Sequence, residues 1–442
     1  MAPETDDMRR LLYVAHRVPY PPDKGERVRA FHEITALCSH FEITLAALAH
    51  DPSDARAAEC LREWCPEIIL APAGGALGRL RAAASMLAGR SATEGFFHSP
   101  RLGRQLARRA AGEPFDIAFA YCSSVLPACL RVKAKAHVID LVDADSRKWL
   151  AYAGDSRWPV NRLYRSEARA VGGLERQAVE RCQAVFITSQ AEIEALGPGA
   201  ESPHVLAVGN GVDTDYFCPD PSLPAPDPQS PCLVFTGWMN YRPNVDGVCW
   251  FVREVMPPLR QRLGGLTFRI VGRNPAPKVM QLAQCPGVVV TGSVPDVRPY
   301  LAAATAAVVP LRIARGVQNK VLDAMAMGRP VVASSAALAG LDLTDGQEAL
   351  RADSPDEWIE HILALARPAS ADMPSQLGAR ARQCVVARYN WAQRLKPMVD
   401  VCLKLAGGLE PVSQDAACSH PADAREGLHA RTEVKPGRAF KA

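Results

Sequence analysis

The chain has 442 residues, too many for one ordinary domain and suited to two or three. It is 48% hydrophobic and 22% charged, which is globular, and a formal charge of +4 with no Lys/Arg run is too mild for a nucleic-acid binder. No apolar run reaches the roughly 18 residues a membrane span needs, and thirteen scattered cysteines without CxxC or HxxxH spacing predict reduced thiols and no metal site.

Leu11-Leu12-Tyr13-Val14-Ala15 reads as a buried strand. The loop HRVPYPPDKGERVRA (16–30) follows it. His16 and Arg17 stand at the strand's carboxyl end, where side chains face a ligand. Gly25 stands at a helix entrance, where the absence of a side chain lets a ligand or another backbone approach. A proline-rich surface turn is the plain alternative. GxGxxG is missing, which disfavours NAD. A helix over about 26–40 carries Val28, Phe31, Ile34 and Leu37 on one face. Strands recur at 42–49, 67–71, 115–121, 137–142, 184–188 and 204–208, mostly with helices between them. Such alternation predicts a parallel, doubly wound sheet. Asp143, Asp145 and Ser146 come just past the fourth of these strands. Carboxylates there suit sugar hydroxyls, a proton or a divalent ion, and a helix cap is the structural alternative. Asn210-Gly211 is a turn signal.

CPDPSLPAPDPQSPC (218–232) has six prolines and no periodicity, and reads as a linker. The alternation then restarts, with strands at 232–238, 267–272, 287–292, 306–311 and in PVVAS, and a helix over about 245–263. In TGWMNYRPNVDG (236–247), Gly237 follows a strand and Arg242 and Asn244 lie in the loop before that helix. An Arg there faces a diphosphate well. RGVQNKVLDAMAMGRPVVAS (315–334) places Gln318-Asn319-Lys320 at the mouth of an apolar helix stopped by Gly328. Helix N-termini attract phosphate, and Lys320 adds charge; solvated polar residues before a core helix are the plain alternative. Helices at 355–367, 375–388 and 390–406 close the second domain.

The expected organisation is α/β, two doubly wound Rossmann-like domains facing a central cleft where ligands bind. They are an N-terminal domain (1–217), the linker, and a C-terminal domain (233–389). The helix 390–406 returns to the first domain, and 407–442 is read as a disordered tail.

Together these stretches resemble glycosyltransferase family 4, the retaining nucleotide-sugar transferases of GT-B fold, over nearly all of residues 10–406. NGVDTDYF is similar to that family's interdomain element. The stretch 315–333 is similar to its E-x7-E signature and the following AMA-x-G-x-PVV. HRVPYPPDKGERVR, DLVDADSRKW and GVQNKVLDAMAMGRPVV resemble the sugar transferases encoded with exosortase/PEP-CTERM exopolysaccharide systems. The resemblance implies a nucleoside diphosphate sugar donor, a glycan or polyprenyl-linked acceptor, and no required cofactor or metal. It places Asp323 at the second acidic position, on the donor ribose, with one methylene less reach than Glu. The first acidic position is Arg315, a reversal of charge. Arg242 and Lys320 match the basic pair on the diphosphate, assisted by amides from Gly316, Val317, Gln318 and Asn319. Gly25, Gly237 and Asn244 join the donor set. His16, Arg17, Asp143 and Asp145 are candidates for sugar and acceptor contacts. A nucleotide-sugar epimerase and a non-catalytic nucleotide-sugar-binding protein are the alternatives. The N-terminus MAPETDDMRRLL does not read as a secretory signal, so the expected location is cytoplasmic. The resemblance also implies peripheral contact with the inner membrane, for which Arg79, Arg81, Arg90, Arg101, Arg104, Arg108 and Arg109 are candidates, ordinary solvated helix faces being the plain alternative.

Overall fold

The computed structural model describes residues 8–22, 25–314, 316–366 and 372–407, and so leaves Arg315 and the tail from 408 outside the description. Seven parallel strands open the chain: β1 (Arg9–Ala15), β2 (Phe41–Ala49), β3 (Glu67–Pro72), β4 (Phe115–Tyr121), β5 (Ala134–Val142), β6 (Ala184–Ile187) and β7 (Val205–Ala207). They form one sheet in the order β3-β2-β1-β4-β5-β6-β7. Parallel sheets are covered on both faces, which is why Leu11 to Ala15 are buried without alternation. One face packs Tyr13, Ile34, Leu37 and Phe119 with Trp391, Leu395, Met398 and Cys402 of the helix Trp391–Leu405. Those four residues share one helical stripe, so this helix, although it follows the second sheet in sequence, packs on the first. The opposite face packs Leu12, Val14, Leu102, Leu106 and Ile139.

The second sheet contains β8 (Cys232–Thr236), β9 (Thr267–Val271), β10 (Val288–Gly292), β11 (Ala306–Val309), β12 (Val331–Ala333) and β13 (Leu350–Arg351). Its order is β10-β9-β8-β11-β12-β13, again parallel throughout. In each sheet the first strand lies beside a later one across a reversal of strand order: β1 beside β4, and β8 beside β11. Ligands of open α/β sheets bind outside the carboxyl ends at that point.

Contacts divide the chain after Gly211, with Val212 to Ala387 forming the second unit. This is earlier than the proline-rich stretch suggests. Tyr216 donates to Asp296 at 3.2 Å, the Arg298 guanidinium lies 4.1 Å over the Tyr216 ring, and Arg382 donates to the Phe217 carbonyl at 3.2 Å. Residues 212–217 are therefore anchored in the second unit, and the prolines run on within it.

The helix expected over 245–263 is two helices, Arg242–Glu254 and Met256–Arg262. Pro257 and Pro258 cannot donate within a continuous helix, so they begin a new one. The helix of the 315–334 stretch runs from Asn319 to Ala326, and Gly328 past its end takes φ +66°. Among the described residues no helix is long and apolar enough to cross a membrane, the cysteines are unbridged, and no group of His, Cys, Asp or Glu could hold a metal ion.

Candidate functional site

In the second unit, β8, β9 and β10 each run into a glycine at or just past the carboxyl end: Gly237, Gly272 and Gly292. Gly237 donates to the Val271 carbonyl at 3.0 Å, and Gly272 to Gly292 at 3.1 Å. A Cβ on Gly272 would fall on the Gly237 carbonyl, so the two backbones touch. The result is a ledge of bare backbone that begins at Gly237, beside the reversal of strand order, and runs toward β10. A Cβ on Gly237 would lie 2.9 Å from Asn244 Nδ2 and 3.4 Å from Lys320 Cε, so both side chains close over that glycine.

Asn244 lies inside the helix Arg242–Glu254 and not in the loop before it, and is 3% exposed. Its Nδ2 donates to the Trp238 carbonyl at 2.9 Å, while its Oδ1 has no hydrogen-bond partner among the described residues. Asn319 Oδ1 is likewise buried and unpartnered. Arg242 is the first residue of its helix and is exposed. It too is helical where a loop was expected, because Pro243 fits the first turn.

Gln318 is the N-cap residue of the helix Asn319–Ala326 but makes no side-chain cap. Its Nε2 reaches back to the Gly316 carbonyl at 3.4 Å, its Oε1 accepts from Lys320 Nζ at 3.1 Å, and Gly316 takes φ +61°. The first amides of this helix thus lack a capping side chain. Val317 is buried. Lys320 Nζ also lies 5.7 Å over the Phe235 ring of β8.

Lys320 and Asp323 keep some surface as whole residues, yet protein crowds their charged ends and desolvation dominates both. Burial pushes the Lys320 ammonium down to about 8, against the pull of Asp323. Burial pushes the Asp323 carboxyl up to about 7, against the pull of Lys320. Each is held close to the titration range of neutral pH, a setting common at functional sites.

The carboxyl end of β1 in the first unit is built differently. His16 is buried, stacks on Tyr121 at 5.9 Å and meets the Phe97 edge at 5.1 Å. Its Nε2 is 3.8 Å from Glu26 Oε2, and its Nδ1 has no hydrogen-bond partner among the described residues. Arg17 pairs with Glu26 at 3.3 Å. Gly25 opens the helix Gly25–Leu37, but a Cβ there would meet nothing within 4 Å. The expected close approach is therefore absent within this unit. Asp143 accepts from Thr188 Oγ1 at 3.0 Å. Although the residue is exposed, its carboxyl is held above the ordinary range, first by crowding and then by the Glu192 charge. Asp145 is the first residue of its helix, makes no cap, and pairs with Lys148 at 3.5 Å.

One cluster escaped the sequence reading. Arg29, which passes for a surface base, is buried, and its Nε sits 2.5 Å from Asp140 and 3.0 Å from Glu33. Tyr13 donates to Glu33 at 2.7 Å, and Arg29 Nη1 to Asn210 Oδ1 at 3.0 Å. Burial drives the Glu33 carboxyl well up, with Asp140 adding to it. The available signal was Glu33 itself, an acid in phase with Ala30 and Leu37 on a buried helix face.

Residues 230–367 match the family described as glycosyl transferases group 1. Three solved structures share the whole architecture. Sucrose-phosphate synthase from Thermosynechococcus elongatus is 16% identical over 90% of this chain and 99% of its own, with TM-score 0.66. WaaG, a glycosyltransferase involved in lipopolysaccharide biosynthesis, is 14% identical over 90% and 100%, with TM-score 0.61. Anabaena HepE, solved with UDP and glucose, is 13% identical over 90% and 100%, with TM-score 0.59. The findings support a GT-B glycosyltransferase. At these identities the structural likeness carries the fold, and the matched domain carries the activity class. No curated protein sequence matches the chain.

Proposed function

We propose that this GT-B glycosyltransferase moves a hexosyl group, with retention, from a nucleoside diphosphate sugar to a hydroxyl of a glycan or polyprenyl-linked acceptor in exopolysaccharide assembly. The observation that carries the donor reading is the juxtaposition of Lys320, an uncapped helix N-terminus and the bare Gly237 backbone at the reversal of strand order. Backbone amides and one buried cation suit a diphosphate, whose charge grows as the glycosidic bond breaks. In this reading Lys320 and the amides of Asn319 and Lys320 take the diphosphate, with Arg242 beside them. Asp323 accepts from the ribose hydroxyls, and Asn244 Oδ1, lacking a donor of its own, accepts from a donor hydroxyl. Charge neutralisation by Lys320 and Arg242 requires no metal ion. His16, Arg17 and Asp143 serve the acceptor.

A panel of nucleotide sugars, screened by calorimetry and then for transfer by mass spectrometry, tests this. One nucleoside diphosphate sugar should bind, and its glycosyl group should appear on an acceptor with the anomeric configuration kept. Absence of binding across the panel would sink the donor site. Conversion of the donor without any acceptor would replace the transferase by an epimerase.

A further inference from the structure

The helix Gly75–Leu87 is inside out. Its inward face is made of small residues: a Cβ on Gly95 of the helix Ala92–Phe97 would lie 2.6 Å from Ser85 Cβ and 3.0 Å from Ala82 Cα. A Cβ on Gly78 would lie 3.3 Å from the Phe96 ring. Its leucines point away from the protein, with Leu77 65%, Leu80 67% and Leu87 91% exposed. Together with exposed Ala84 they follow the spacing of one helical face. A water-facing helix normally shows the opposite pattern.

The surroundings of this apolar stripe are cationic. Residues 73–112 hold seven arginines and a single acidic residue, Glu94. Five of the seven, Arg79, Arg90, Arg101, Arg104 and Arg108, are exposed, and the last three recur on one face of the helix Pro100–Arg109. The other two turn inward. Arg81 donates to the His98 carbonyl at 2.8 Å, and Arg109 pairs with Glu67 at 2.9 Å.

We infer that the helix Gly75–Leu87 docks the protein on an anionic lipid bilayer, its leucines entering the acyl region and the arginines meeting headgroup phosphates. Leucines flanked by arginine are the pattern of a helix lying in the membrane interface. A second copy of the chain fits the face poorly, because it would bring the same arginines against these. The inference stands apart from the proposed donor contacts Arg242, Asn244, Asn319, Lys320 and Asp323, which lie in the other unit.

Flotation of the full-length protein with phosphatidylglycerol-containing and pure phosphatidylcholine vesicles, at low and high salt, tests it. The protein should float with the anionic vesicles at low salt and largely lose them at high salt. Leu77→Gln, Leu80→Gln and Leu87→Gln together should lower partitioning by at least about 100-fold, the burial of three leucines being lost. Arg101→Gln, Arg104→Gln and Arg108→Gln should each cost about fivefold at low salt. Circular dichroism on the triple-leucine variant keeps folding separate, since exposed Gln preserves helix. Failure of the wild type to float at low salt overturns the inference. So does a folded triple variant that floats like the wild type, or a dimer abolished by the leucine changes while flotation persists.

Discussion

The two parallel sheets meet their surroundings in opposite ways at the same topological place. Beyond β8 the chain strips side chains away: Gly237, Gly272 and Gly292 leave bare backbone, Lys320 and Asn244 close over Gly237, and the Asn244 and Asn319 side-chain oxygens have no hydrogen-bond partner among the described residues. Beyond β1 it fills the space with rings, His16 against Tyr121 and Phe97, while Arg29 pairs with Glu33 and Asp140 underneath. A doubly wound sheet thus offers a ligand edge, and the side chains decide whether that edge receives a ligand through its backbone or presents a packed wall. The first unit sets the Arg29 cation directly against the Asp140 and Glu33 carboxyl groups, although Arg29 Nη2 and His16 Nδ1 keep no hydrogen-bond partner among the described residues. The second unit leaves Lys320 and Asp323 partly compensated and near their titration points.

Removing the first unit's ion pair should have the largest effect. Arg29→Met leaves the Glu33 and Asp140 carboxyl groups buried without their cation, and breaking a buried pair in this way costs about 3–5 kcal/mol. Urea denaturation would read the loss, and nucleotide affinity of the folded fraction should stay within about twofold. Loss of affinity without loss of stability would break the contrast between a self-paired edge and a receptive one.

Next in size is Lys320→Ala, expected to lower turnover about 10²- to 10³-fold, the scale of one lost electrostatic donor. Full activity would remove the phosphate assignment. Asp323→Asn should weaken binding of donor and free nucleotide diphosphate alike, by about 10- to 100-fold, as a ribose contact does not change during reaction. A change in turnover alone would contradict that role.

The pH dependence sharpens the same point. Diphosphate binding needs charged Lys320, so affinity should fall as pH rises through about 8 in the free protein. Ribose binding needs ionised Asp323, so affinity should also fall as pH drops through about 7. Calorimetry of nucleotide diphosphate binding across pH should therefore show a narrow maximum between these values. Lys320→Ala should erase the alkaline limb and Asp323→Asn the acid limb.

The smallest effects separate two glycines. Gly237→Ala forces a Cβ to 2.9 Å from Asn244 Nδ2, and overpacking of this kind costs about 1–3 kcal/mol together with nucleotide affinity. Gly25→Ala meets open space, so urea denaturation should register a change of no more than about 0.5 kcal/mol. A larger loss at Gly25 would show that a ligand or neighbour approaches it after all.

Much of this was legible from local pattern. Apolar runs alternating with amphipathic helices specify parallel sheets, because only strands buried on both faces read so, and strand ends place Gly237 and Lys320 on the ligand side. The three strand-terminal glycines were equally visible, yet their meaning was not, since close approach between backbones is a property of neighbouring strands. Arg29 illustrates the same limit. Its identity suggests solvent, and only Asp140, distant in sequence on β5, makes its burial tolerable. The unit boundary also turned on a distant contact, Arg298 and Asp296 drawing Tyr216 into the second unit.

What the sequence by itself determined is therefore the period and order of the elements, which local sterics and burial dictate. Tertiary structure decided which polar groups are paired and which are left for a ligand. The leucines of Gly75–Leu87 show why: their spacing announces an apolar face, but Gly95, packed against Ser85 and Ala82, turns that face outward.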